Sequence, residues 1–235
     1  MNMMKRTVYT LCLLFALFLQ AEARTPMRTW LGLMPDSVMP LLTKNNLLDF
    51  IDFYDYQMEA VVTNRLEGKS RMDMLTDDYV LINYTRMTDV AMKLLPVNDT
   101  TDILCMVTTM KAERGRVQAT TASSSDTNAH NKSLVGDSRI AFFDAQWQPL
   151  EVKNYLSEPC MADFRSSMQG DSATWAWSKM DIFFKTYRLS AEDSDLRCVL
   201  TATDFLSKED REEVAPYVRK EPLTYHWTNG RYTLE

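Results

Sequence analysis

Neighbouring carboxylates are the side chains of this chain that could carry acid–base chemistry. Asp77 and Asp78 are adjacent in a predicted turn, and Asp49 lies on a predicted helix. Two carboxylates about 5–9.5 Å apart across a cleft cleave glycosidic bonds in many hydrolases. Asp77, Asp78 and Asp49 are therefore the candidate catalytic residues. The alternative is that the paired aspartates stabilise their own turn and that Asp49 is a solvated helix residue.

The other usual catalytic and ligating groups are sparse. The chain has two histidines, and a triad would need His226 as its base because His130 lies in a low-complexity segment. Asp49, Asp52 and Asp55 could offer carboxylates to a hard cation, but their spacing equally fits a solvated helix face. No Gly-rich phosphate loop is present. We expect no metal and no cofactor.

Four aromatic residues in the second half are candidates for ligand binding. Trp175, Trp177, Trp227 and Tyr232 would suit a sugar or a peptide if their rings formed an exposed platform. The alternative is that they fill the core of a sheet.

Three cysteines follow the N-terminal segment, namely Cys105, Cys160 and Cys198. An exported chain with this odd number holds at most one internal disulfide. The alternative is that Cys105 and Cys198 are small core residues, because each shares a strand face with aliphatic neighbours.

Residues 1–23 have the three parts of a secretory signal peptide. Lys5 and Arg6 precede an apolar run over 8–19, and Ala21-Glu22-Ala23 supplies small residues at a cleavage site. The mature chain would begin at Arg24. The alternative, an uncleaved membrane anchor, is disfavoured because the run is shorter than the roughly 20 residues that span a bilayer.

Composition narrows the partners. The formal net charge is −6, which argues against nucleic acid and anionic membrane surfaces. No second apolar run of about 18 residues follows residue 23, so we expect no transmembrane segment in the mature chain.

Hydrophobic periodicity predicts an α+β fold. A helix is predicted from Asp36 or Ser37 to Thr43, and a second, capped by Asn45 or Asn46, continues to about Met58. The period then changes to two, which indicates antiparallel strands joined by hairpins. The predicted strands are 60–66, 71–75, 79–85, 90–95, 102–110, 138–144, 181–189, 196–203, 223–227 and 231–234. Helices should cover one face of the antiparallel sheets.

The chain divides into two predicted halves, 24–156 and 157–235. Residues 113–137 contain a Ser/Thr-rich stretch and are predicted to be a mobile loop inserted in a hairpin; an interdomain linker is the alternative. Residues 98–108 align with 191–201 at an offset of about 93, with cysteine in the same position. Two related helix-plus-meander halves would explain this similarity; the alternative is that unrelated hairpins look alike over such a length.

Several segments resemble a known family. They are MPDSVMPLLTKNN at 34–46, VTNR at 62–65, LTDDY at 75–79, MKLLPVND at 92–99 and DSRI at 137–140. The chain resembles an uncharacterised family of exported proteins from Bacteroidales, domain of unknown function 3256. Residues 119–132 look like an insertion relative to that family. The resemblance implies the envelope of a Gram-negative bacterium and carries no activity or site.

The sequence therefore predicts a soluble exported protein, periplasmic or extracellular, that is non-catalytic and binds an envelope protein, a peptide or a glycan through a sheet face or a cleft. A hydrolase that uses acidic residues is the first alternative, and a structural assembly subunit is the second.

Overall fold

A computed structural model describes residues 24–112, 135–168 and 170–235. The predicted signal peptide, residues 1–23, lies outside these residues. So does most of the predicted loop, because only its last three residues are described, and they belong to a strand.

A seven-stranded sheet forms the centre of the molecule. Its strands follow one another as an antiparallel meander in the order β1 to β7. The strands are β1 (Val61–Thr63), β2 (Lys69–Leu75), β3 (Tyr79–Thr85), β4 (Thr88–Pro96), β5 (Asp102–Ala112), β6 (Val135–Phe143) and β7 (Pro149–Leu150). We call this the large sheet.

Both faces of the large sheet are apolar, because side chains alternate between the two faces and both sets are hydrophobic. Val80 and Ile82 are fully buried on one face. They pack beneath α1 (Met27–Leu33) and α2 (Lys44–Asp55). The opposite face carries Tyr79 and Leu81, which belong to a second hydrophobic core.

The first helical layer differs in part from its prediction. Residues 36–43 form successive turns rather than the predicted helix, because Pro40 would fall in the helix interior, where it lacks a donor and clashes with the preceding turn. The second predicted helix exists, but its N-cap is Thr43, whose side chain accepts from the Asn46 amide.

A four-stranded sheet covers the second face of the large sheet. Its order is β11-β10-β9-β8, with β8 (Lys185–Leu189), β9 (Leu196–Leu200), β10 (Leu223–Thr228) and β11 (Arg231–Leu234). We call it the small sheet. Asn229 and Gly230 both have positive φ (52° and 77°), as an Asn-Gly hairpin between β10 and β11 requires.

Short helices connect and flank the two sheets. They are α3 (Val152–Tyr155), α4 (Asp171–Trp177), α5 (Lys208–Val214) and 3₁₀ turns at Met161–Phe164, Ala202–Phe205 and Ala215–Tyr217. Ser207 is the N-cap of α5, since Ser207 Oγ accepts from the Asp210 amide at 3.1 Å. No helix in the described part of the chain is long and apolar enough to cross a membrane.

One hydrophobic core joins the predicted halves. Phe142 of the large sheet and Tyr232 of the small sheet lie in it, with their ring centroids 6.4 Å apart. Cys105 and Cys198, which the proposed duplication aligns, are both buried in it. The α+β antiparallel fold is thus confirmed, whereas the division at 156/157 and the duplication stay predictions.

Gly136 should be essential to the junction of the two sheets. A Cβ atom on Gly136 would lie 2.3 Å from the Met110 carbonyl oxygen, whereas none of the surrounding atoms comes within 4 Å of one on Gly32 of α1. We expect Gly136→Ala to lower the free energy of unfolding by about 1–3 kcal/mol. Gly32→Ala should raise it by up to about 1 kcal/mol, because alanine favours a helix. Urea denaturation measures both, and equal effects would contradict the prediction.

Candidate functional site

A groove lies where the small sheet fails to cover the large one. Its cavity of about 230 Å³ is enclosed by β8 on one side and by β3, β4 and β5 below. Leu81, Ala91 and Val107 stand directly opposite one another on these three strands and form its apolar floor. Asp89 and Thr109 form the neighbouring cross-strand pair and make one end of the floor polar. We call this cavity the inter-sheet groove.

The wall of the inter-sheet groove is the outer edge of β8. The Ser190 amide donates to Asp195 O, and the Thr201 amide donates to Phe184 O. Residues that bond to the neighbouring strand alternate with residues that do not. The N–H and C=O groups of residues 186 and 188, which lie between these two bonds, therefore also point towards β9. The N–H and C=O groups of Tyr187 and Leu189 therefore point the other way, and none of the described residues pairs with them. Both residues line the groove.

Asp89 brings an incompletely satisfied carboxylate to the groove. Its Oδ2 forms an ion pair with Lys111 Nζ at 2.5 Å. Its Oδ1 is buried and has no hydrogen-bond partner among the described residues. A buried carboxylate oxygen without a donor is costly, so this atom favours a ligand that can donate to it.

The structure places Asp77 and Asp78 at a different hollow, of about 630 Å³, which also contains Arg24 and Asp102. We call it the acidic hollow. Asp78 Oδ2 lies 2.8 Å from Nζ of the buried Lys93. Lys93 also donates to the Ala191 carbonyl at 3.2 Å, so it links the large sheet to the β8–β9 turn.

Asp102 is the titrating group of the acidic hollow. Burial raises the pKa of its carboxyl, although the Arg24 guanidinium opposes this and Asp78 adds to it. Arg24 Nη1 lies 2.5 Å from Asp102 Oδ1. Since cations neutralise Asp78 and Asp102, the hollow is organised as two ion pairs rather than as a free acid and base.

Asp49 does not join this hollow. It is exposed on α2, as are Asp52 and Asp55, and Asp55 pairs with Arg28 at 2.9 Å. Nowhere in residues 24–112, 135–168 and 170–235 do three or more His, Cys, Asp or Glu side chains gather closely enough to hold a metal ion.

The four candidate aromatics have different environments. Trp177 and Tyr232 are buried core residues. Trp227 packs edge-on against Tyr232 and donates its Nε1–H to the Pro96 carbonyl at 2.7 Å. Trp175 is 55% exposed, with Lys179 Nζ 4.0 Å from its ring centroid. The structure therefore brings Trp227 and Tyr232 together inside the fold, and the four do not share an exposed platform.

The three cysteines form no disulfide with one another, and two of them are buried. Cys105, Cys160 and Cys198 are free cysteines. Burial raises the pKa of the Cys198 thiol to about 12 and that of Cys105 further, so both stay protonated at neutral pH.

His226 Nδ1 lies 2.8 Å from Asp195 Oδ1 on the outer face of the small sheet, and this hydrogen bond raises the pKa of His226.

Sequence reasoning missed the groove. Asp89 could have been found from the sequence. It lies at every second position with Ala91, Lys93 and Leu95, so its carboxylate is on the same inward face of the strand. No sequence signal marks the exposed edge of β8, because the pairing order of strands in a sheet is a tertiary property.

Comparisons with known proteins give a family and a fold. The sequence model of a family described as "Protein of unknown function (DUF3256)" matches residues 18–117 and 130–232. A solved domain of an uncharacterised protein from Porphyromonas gingivalis W83 is similar at 23% identity, with a TM-score of 0.71 over 89% of this chain and 98% of that one. No curated protein matches.

The ion pair of Lys93 should stabilise the fold. Asp78→Asn removes the carboxylate partner of a buried ammonium, so we expect a loss of about 1–3 kcal/mol, reduced from the fully buried case because Asp78 is half exposed. Asp77→Asn is the matched control, since Asp77 is exposed and should change stability by less than about 0.5 kcal/mol. Urea denaturation compares the two, and equal losses would contradict this assignment.

Proposed function

We propose that this chain, which belongs to the DUF3256 family of proteins of unknown function, is a non-catalytic binding protein of the bacterial cell envelope. The inter-sheet groove is the observation that carries the proposal. It combines an apolar floor with backbone groups of β8 and one carboxylate oxygen that find no partner among the described residues. Concave sites with an apolar lining and a few polar groups are typical of ligand binding.

The state of the carboxylates favours binding over hydrolysis. A hydrolase that used Asp77 and Asp78 would need a carboxyl able to exchange a proton with substrate. Asp78 is paired with Lys93 and Asp102 with Arg24, so neither is a free partner for the exposed Asp77. The groove has a different chemistry, because its single carboxylate lies beside hydrophobic residues and exposed backbone donors and acceptors.

Export is supported by the N-terminal segment and by the residue that follows it. Residues 1–23 have the features of a signal peptide. Arg24, the predicted first residue of the mature chain, contacts the fold through Asp102 and through the Asn98 carbonyl oxygen. Cleavage before Arg24 would leave these side-chain contacts intact. The proposed location is the periplasm or the exterior of a Gram-negative cell.

Blocking the groove should abolish partner binding. Ala91 lines the floor, so Ala91→Phe would fill the groove. Ala141→Phe is the matched control, since Ala141 is also half-buried but lies on the opposite face of the same sheet. We expect a tagged protein to retain an envelope partner as wild type and as Ala141→Phe, and to lose at least about 90% of it as Ala91→Phe.

Two outcomes of that experiment would contradict the proposal. One is a partner retained equally by all three proteins. The other is recovery of no partner together with hydrolysis of a glycan or peptide panel. Capture of the same chain alone would favour the assembly subunit.

Processing should depend on the size of residue 23. We expect N-terminal sequencing of the protein exported by a Gram-negative host to begin at Arg24. Ala23→Ser keeps a small residue and should be cleaved, whereas Ala23→Leu should accumulate uncleaved. A protein that retains residues 1–23 in the wild type would refute export by this route.

A further inference from the structure

The edge of β8 presents hydrogen-bonding groups at the spacing of a strand. The two residues whose N–H and C=O groups point into the inter-sheet groove are Tyr187 and Leu189, two positions apart along β8. Strand residues two positions apart are separated by about 6.6–6.8 Å. An extended peptide repeats its own donors and acceptors at the same distance, so it could pair with both residues at once.

The floor beneath that edge would contact every second side chain of a strand bound beside β8. A strand placed beside β8, at the usual distance of about 4.8 Å, would direct every second side chain towards the large sheet. Those side chains would meet an apolar part, Leu81, Ala91 and Val107, and a polar part, Asp89 and Thr109. The groove therefore distinguishes hydrophobic from polar residues at neighbouring inward positions.

Asp89 specifies the polar residue. Arg188 also lines the groove, but it alternates along β8 with the inward Tyr187 and Leu189, so its side chain lies on the outer face of the small sheet. Lys111 satisfies only Oδ2 of Asp89, and the buried Oδ1 has no donor among the described residues. An ammonium or guanidinium group would supply the missing hydrogen bond with opposite charge, which is stronger than a neutral donor. The net charge of −6 favours the approach of a basic segment.

A second copy of this chain fits the groove poorly. An antiparallel pair of β8 edges that matched Tyr187 with Leu189 would place the two Arg188 residues directly opposite each other. Like charges at that position destabilise a strand pair.

Resting on the binding role above, we propose that the groove binds an extended peptide of another protein, which adds to β8 as a fifth strand of the small sheet. The peptide carries a lysine or arginine at an inward position, where it pairs with Asp89. A hydrophobic residue lies at the next inward position, on Leu81, Ala91 and Val107.

An array of seven-residue peptides tests this proposal on the full chain. The peptides alternate threonine with an inward set in which the central residue is lysine, glutamine or glutamate and its inward neighbours are valine, leucine or phenylalanine. We expect the lysine peptides to bind at least about tenfold more tightly than the matched glutamate peptides. Asp89→Asn should reduce this ratio to about threefold or less, whereas Asp49→Asn, which removes an exposed carboxylate from α2, should preserve it.

N-methylation of the best peptide tests strand addition on the unmodified protein, so this arm does not depend on how Asp89→Asn folds. Amides of a strand alternate between its two edges. Methylation of one alternating set should therefore abolish binding, and methylation of the other set should leave it within about threefold. Equal effects of the two sets would overturn the pairing with β8.

Failure of this inference can be told apart from failure of the binding role. If no lysine peptide binds while Ala91→Phe still releases an envelope partner, the groove binds something other than a strand and the peptide is refuted. If a peptide binds but its preference for lysine survives Asp89→Asn, the assignment of Asp89 is refuted. Binding of a glycan that Ala91→Phe abolishes would refute the peptide as well.

Discussion

The large sheet must be covered on both faces, and the rest of the structure follows from that constraint. β3 is hydrophobic at successive positions from Tyr79 to Ile82, so neither of its faces is stable in water. The helices α1 and α2 cover one face, and the small sheet covers the other. Four strands cannot cover the width of seven. The small sheet ends at β8, which contacts β6, β5 and β4, and the strip of the large sheet beside it is the inter-sheet groove.

The position of β8 is fixed from both ends. At its start, the Lys185 amide donates to Asp137 Oδ1 at 3.4 Å, and Thr201 Oγ1 nearby donates to the Gly136 carbonyl at 2.6 Å. Beyond its end, Ala191 accepts from the buried Lys93. Burying a lysine is unfavourable unless its charge is paired, and Asp78 provides that pairing. Asp78, which the sequence made a candidate catalytic residue, therefore contributes to the geometry of the groove wall through its ion pair with Lys93.

Local signals in the sequence predicted much of the fold. The bounds of β3 and β11 were predicted to the residue, because alternating side chains and turn residues mark both ends. Two features of the structure differ from what the sequence predicted. Pro40 outweighed the capping signal at Asp36 and Ser37, so turns replace a helix there. Trp177 and Tyr232 are residue types that could form a binding platform. They are buried instead, because they fill the core that the two sheets share.

The candidate site was less predictable than the fold, for a physical reason. Asp77 and Asp78 attracted attention because they are adjacent in sequence, yet their environment depends on Lys93 and on a turn more than a hundred residues later. The groove is built from backbone atoms of one sheet and side chains of another. Such a site leaves no motif, because its floor on β3, β4 and β5 lies far along the chain from its wall on β8.

The contacts that hold the layers of the fold together span long stretches of sequence. Trp227 donates to Pro96 across 131 positions, and Trp147 donates to the Trp30 carbonyl across 117. Contacts of this kind form late, because the entropy of closing long loops must be overcome first. β3, β4 and β5 can pair early through hairpins, whereas β8 can dock only after the second half has formed. The groove consequently exists only when β8 is docked on the large sheet, and a partly folded molecule without that docking presents no groove.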